Sequence, residues 1–174
     1  MASENLEDLL KRKKKMKEQA NIDWQKEKQL WISRINEFYE EIQAFLKPLQ
    51  EKDLLSFSFE EIQLNEEIIG DYDTKKMIVQ FPDQKVVIQP VGRIIIGAKG
   101  RMDMIGENGT VKFLLVNKEL QRPYYLIKET VSNKVNTQPD PELKWKIATP
   151  PPNIEYINLN KDSFSNALLG VLSK

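Results

Sequence analysis

The side chains behind most covalent and metal chemistry are missing from this chain: it contains no cysteine and no histidine. Thiolate nucleophiles, disulfides, imidazole acid–base catalysis and Cys- or His-ligated zinc are therefore excluded. No metal ligand set and no cofactor is expected. What remains is carboxylate chemistry, which needs two Asp or Glu side chains facing each other across a cleft. Glu60, Glu61, Glu66, Glu67 and Asp103 are the candidates. The two Glu-Glu pairs suit solvated strand edges. Asp103 lies between Met102 and Met104 and near Arg93, Lys99 and Arg101, so an Arg–Asp pair across strands is its simplest account. Asp71-Tyr-Asp73 lacks the glycine and distal Glu of a calcium loop and reads as a turn. No catalytic residue is assigned and the chain is expected not to be an enzyme, with carboxylate-only catalysis left open.

Two segments carry charge that could meet an anion. Lys11, Arg12, Lys13, Lys14, Lys15 and Lys17 place six basic residues in seven. They could contact phosphates, an acidic partner or only water. No aromatic residue interleaves with them, so base stacking there is not expected. In the segment 92–101, Gly92, Gly97 and Gly100 with Arg93, Lys99 and Arg101 loosely resemble an anion-cradling loop. The Lys-Ser or Lys-Thr pair that opens a helix in a nucleotide-binding loop is absent, so a tight hairpin turn is the simpler reading.

The elements that must position these groups divide the chain in two. Residues 1–50 form a helical arm, basic and then amphipathic. Residues 51–174 form an antiparallel β domain with a short C-terminal helix. Within the arm, Asn21 or Asp23 can cap a new helix, so a break is expected near 20–23. From 23 to 47 the helix would be about 37 Å long, with Pro48 ending it. Trp31, Ile35, Phe38, Ile42 and Phe45 recur at spacings of four and three, and Trp24 precedes Trp31 by seven. That pattern packs a helix along another element. Leu30, Ile32, Tyr39 and Leu46 widen the stripe enough for burial against a sheet.

After Pro48 the period becomes two. Leu55, Phe57 and Phe59 alternate with polar residues, and Ile62 and Leu64 continue out of phase, as a bulge at Glu60-Glu61 would produce. Further strands follow around Met77, residues 86–91, 94–96, 102–105, 111–116 and 124–127, then Trp145 and Tyr156. Asn108-Gly109 marks a hairpin, and residues 130–142 read as a loop. About seven strands joined by short turns give an antiparallel sheet or small barrel. Asn160 or Asp162 caps the last helix. The fold class is α+β.

Net charge is zero, from 26 basic and 26 acidic residues, so no global field favours nucleic acid or an anionic membrane. No run approaches the roughly 20 apolar residues of a membrane span, no signal peptide pattern opens the chain, and the cytoplasm is the expected location. The functional expectation is an accessory, adaptor or immunity-type subunit that binds another protein, or itself, through Trp24, Trp31, Ile35, Phe38 and Ile42 and the sheet. The alternative is a nucleic-acid-binding module using the basic run and the 92–112 hairpin.

Overall fold

The computed structural model describes residues 5–93, 97–123 and 142–174. The expected strands at 94–96 and 124–127, and the loop expected over 130–142 except its last residue, lie outside them. The described elements are α1 (Leu6–Glu51), β1 (Ser56–Glu66), β2 (Gly70–Gln80), β3 (Lys85–Gly92), β4 (Arg101–Gly106), β5 (Gly109–Asn117), β6 (Leu143–Ala148), β7 (Tyr156–Asn158) and α2 (Lys161–Val171). The seven strands form one open antiparallel sheet in sequential order. β1 and β7 are its edges, so the barrel alternative does not hold.

α1 is one helix of 46 residues, where two were expected. Asn5 caps it by accepting from the Asp8 amide at 2.9 Å. Asn21 and Asp23 do not restart it, and Asp23 instead accepts from Gln19 one turn earlier. The physical reason is one of scale. An interior Asn or Asp costs at most about 0.7 kcal/mol relative to Ala, whereas stopping and renucleating a helix forfeits several hydrogen bonds. Pro48 lies inside the last turn, and the helix runs on to Glu51. It ends with Leu54 N–H on Leu49 O and Asp53 N–H on Gln50 O, both 3.0 Å, with Asp53 at φ 57°. This is a Schellman end with Asp in the left-handed position usually held by Gly.

The stripe Trp31, Ile35, Phe38, Tyr39, Ile42 and Leu46 is buried against one face of the sheet. Met77, Val79, Val86, Ile88, Met102, Met104, Phe113 and Ile147 supply the other side of the core. Phe38 packs edge-on to Phe113 at 5.1 Å between ring centroids and lies 4.9 Å from Trp145. The Tyr39 hydroxyl lies 2.8 Å from Lys75 O and 3.0 Å from Ile88 O, its single proton shared between the two carbonyls. α2 starts with the expected Asn160 cap, made reciprocal by Ser163. Its Phe164 meets Phe45 and Phe113, so both helices join one core.

Several local expectations are corrected. β1 pairs with β2 in unbroken register from Ser56 to Glu66, so there is no bulge at Glu60-Glu61. The change of phase is real but is shared by both strands: Phe59 faces Met77 near the base, Leu64 faces Tyr72 near the tip, and the far end of the hairpin buries its other face. Asp71 and Asp73 belong to β2, and the turn is 67–69 with Gly70 at φ 75°. The Asn-Gly hairpin exists, with Glu107 and Asn108 as its loop residues.

Candidate interaction arm

A seven-stranded sheet at about 4.8 Å per strand is roughly 30 Å wide, and an 11-residue strand is about 36 Å long. A 46-residue helix is about 70 Å long. Whatever its direction, the sheet cannot cover it. Most of the excess is at the N-terminal end; the last turn, residues 47–51, is also exposed. Across residues 6–26 every residue is exposed except Leu9, which is half-buried. These residues form a helical arm of roughly 30 Å.

The arm leaves the body at a polar clasp. Trp31 Nε1 donates to the Tyr72 hydroxyl at 2.9 Å, and that hydroxyl donates to Glu66 Oε2 at 2.5 Å. Glu66 Oε1 accepts the Arg93 backbone N–H at 2.8 Å, and the Arg93 guanidinium donates back to Glu27 on α1 at 2.5 Å. Lys28 adds a bond to Asp71 O. Burial, reinforced by the hydrogen bond and charge of Glu66, raises the Tyr72 pKa well above its ordinary value. Trp31 is also seated on Gly100: a Cβ there would stand 2.3 Å from the indole. These contacts fix the last covered turn of α1 and so the direction of the arm.

The sequence-predicted residues separate at this clasp. Trp31, Ile35, Phe38 and Ile42 are at most 1% exposed. They hold the helix to its own sheet, so as partner-binding residues they are corrected. A buried stripe and a docking stripe share the same spacing, and here the sheet occupies it. Trp24, on the same face one heptad earlier, is exposed. Lys11, Arg12, Lys13, Lys14, Lys15 and Lys17 are all exposed on the arm, with Lys11 beside Glu7 at 2.5 Å. At 100° per residue they surround the whole helix, Lys13 and Lys17 lying within the apolar face of Leu6, Leu10 and Trp24.

The second basic group is largely committed. Arg93 serves Glu27. Arg101 makes two bonds to Asp103, at 2.7 and 2.9 Å, which hold its pKa above the usual guanidinium value. The partners are two apart on one strand, where a cross-strand pair was expected; Asp103 faces Gln89 and Lys112 across the sheet. Lys99 is exposed, but its backbone N–H is given to Leu115 O at 2.7 Å, and Gly100 O accepts from Leu115. The 97–100 segment is thus tied to β5, and Gly100 is needed for its close approach to Trp31.

Three of the five carboxylates offered as acid–base candidates are occupied, while Glu61 and Glu67 are exposed. Glu60 pairs with Lys76, Glu66 belongs to the clasp, and Asp103 belongs to Arg101. Among the described residues no group of three or more carboxylates could hold a metal ion, and no helix is long and apolar enough to cross a membrane.

Two features escaped sequence reasoning. One is the clasp, whose members are scattered from Glu27 to Arg93. The other is a shallow groove of about 500 Å³ beside α1, lined by Ile32, Asn36, Glu61, Asp73 and Lys75 among others. No local pattern announces either, because both depend on how the β1–β2 hairpin lies against the helix. No protein-family model, curated protein or solved structure matches the chain.

Proposed function

We propose that the protein is a non-enzymatic interaction subunit, of accessory, adaptor or immunity type, which engages another protein chain through residues 6–26 of α1. The observation that carries this reading is the continuation of α1 beyond its sheet as a preformed, exposed arm. Helices in proteins draw most of their stability from packing rather than from propensity. Here the arm is templated by a packed helix and held in direction by the clasp, so binding requires little further ordering. Leu6, Leu10, Ile22 and Trp24 supply exposed apolar area along it. Glu60, Glu66 and Asp103 are engaged in structural pairs, which supports a role outside catalysis. Affinity capture with the tagged full chain tests the reading. Trp24→Ala with Lys14→Glu and Lys17→Glu should abolish specific capture while leaving the Tm of dilute, monomeric protein unchanged, and Leu169→Ala on exposed α2 surface should not affect capture. Equal capture by the arm variant would refute the assignment.

One observation favours nucleic acid as a second reading: cations on all sides of an exposed helix can meet phosphates from several directions. Arg93 and Arg101 already have acidic partners, so the 92–112 hairpin adds little to this surface. Fluorescence anisotropy with single- and double-stranded oligonucleotides at low salt decides it, and no binding there removes it.

A further inference from the structure

Resting on the arm's role as a binding surface, we infer that its occupant is a second copy of this chain, paired antiparallel about Trp24, with the basic segment of each arm in the groove of the other copy. Three observations converge on this arrangement. First, Leu10, Lys14, Lys17, Asn21 and Trp24 share one third of the helix circumference with Ile32 and Asn36, at 100° per residue. Ile32 and Asn36 line the groove, so the groove lies along the line of the arm.

Second, the distances agree. If two arms cross with their Trp24 residues adjacent, residues 11–17 of one lie opposite residues 31–37 of the other. That is the stretch of α1 bearing the groove. The groove carries the exposed carboxylates of Glu61 and Asp73, which meet Lys14 and Lys17. Its own cation, Lys75, lies over the Phe59 ring at 4.4 Å.

Third, charge selects this orientation. A parallel pair would stack one basic segment on the other. The antiparallel pair separates the two segments by about 30 Å, beyond the Debye length of about 8–10 Å at moderate salt. The chain has zero formal net charge, so two copies do not repel globally. Pairing through the open edge of β1 is a poorer route to a dimer, since it would bring the Glu60 and Glu61 residues of two copies together.

Sedimentation equilibrium of the full chain tests the inference. The expected result is a dimer that dissociates as salt rises from ~0.05 M to ~1 M, where screening shortens to about 3 Å. Lys14→Glu with Lys17→Glu, and separately Glu61→Lys with Asp73→Lys, should each give folded monomers by circular dichroism. Mixing the two variants should restore a heterodimer, because each arm then finds a groove of opposite charge. A wild-type monomer at every salt concentration, or a mixture that stays monomeric, overturns the inference. A photoreactive side chain at position 24 in native cells separates this inference from the broader reading. A self-adduct supports both. An adduct with a different protein alone overturns self-pairing and keeps the arm as the binding surface. No adduct overturns both.

Discussion

Trp24 and Trp31 stand one heptad apart on the same face of one helix, yet the structure assigns them opposite energetic roles. Trp31 is 1% exposed, packs 6.0 Å from Trp145, rests on Gly100 and donates to Tyr72. Trp31→Ala removes a buried indole and leaves a cavity at the clasp. Large aromatic-to-Ala changes in a core cost about 3–5 kcal/mol. The Tyr72 hydroxyl keeps Glu66 as a partner, so no orphaned polar group adds to that figure. For a chain of this size each kcal/mol moves Tm by about 2–4 °C, giving a drop of roughly 6–20 °C. Trp24 is 38% exposed on the arm, and its replacement by Ala should stay within about 0.5 kcal/mol. Urea unfolding of dilute protein, followed by far-ultraviolet dichroism, gives both values at matched m. Equal losses for the two variants, or a loss below about 1 kcal/mol for Trp31→Ala, would refute the division between covered helix and free arm.

Three further outcomes follow from the packing and the buried phenols. Gly106 lies where a Cβ would come 2.3 Å from the Val171 carbonyl oxygen, so Gly106→Ala should cost about 1–3 kcal/mol by overpacking. Gly170→Ala, with nothing within 4 Å of the added carbon in α2, should gain up to about 1 kcal/mol in the same denaturation assay. Tyr39 and Tyr72 both have pKa values raised first by burial. In the unfolded chain they ionise near 10. Below that pH the folded state suffers no penalty from them, and above it the unfolded state is increasingly favoured. Stability should therefore fall as pH rises beyond about 10, and Tyr72→Phe should flatten that slope in unfolding measured as a function of pH.

Much of the fold was legible because its signals are local. The period of α1 from Trp31 to Leu46, the alternation of Met77 and Val79, the Asn160 cap and the Asn108 hairpin each declare themselves within a few residues. The errors came where a local signal met a larger cost or a distant partner. Asn21 and Asp23 can cap a helix, but ending one mid-run is dearer than carrying them through it. Pro48 marks the C-terminal end of α1 in the sequence, but the helix carries it within its last turn and closes only at Asp53, which takes the left-handed position usually held by Gly. At the site, the basic run was visible as composition. Its exposure was not, because Trp24 continues the spacing of Trp31 and nothing in that spacing says where the sheet stops. The clasp and groove join Glu27, Glu66 and Arg93, or Ile32, Glu61 and Asp73, and such pairings exist only after the hairpin folds against the helix.

The central claim is that α1 leaves the body between residues 26 and 31 and presents its N-terminal part for binding. Native-state hydrogen exchange on the dilute full chain, resolved by residue, tests this most directly. Amides of residues 31–46 should exchange only through global unfolding, while those of residues 10–26 should exchange with far weaker protection by local fraying. Protection of residues 10–26 equal to that of residues 31–46 in the dilute monomer would contradict the account, since it would mean that the chain's own body already covers the arm.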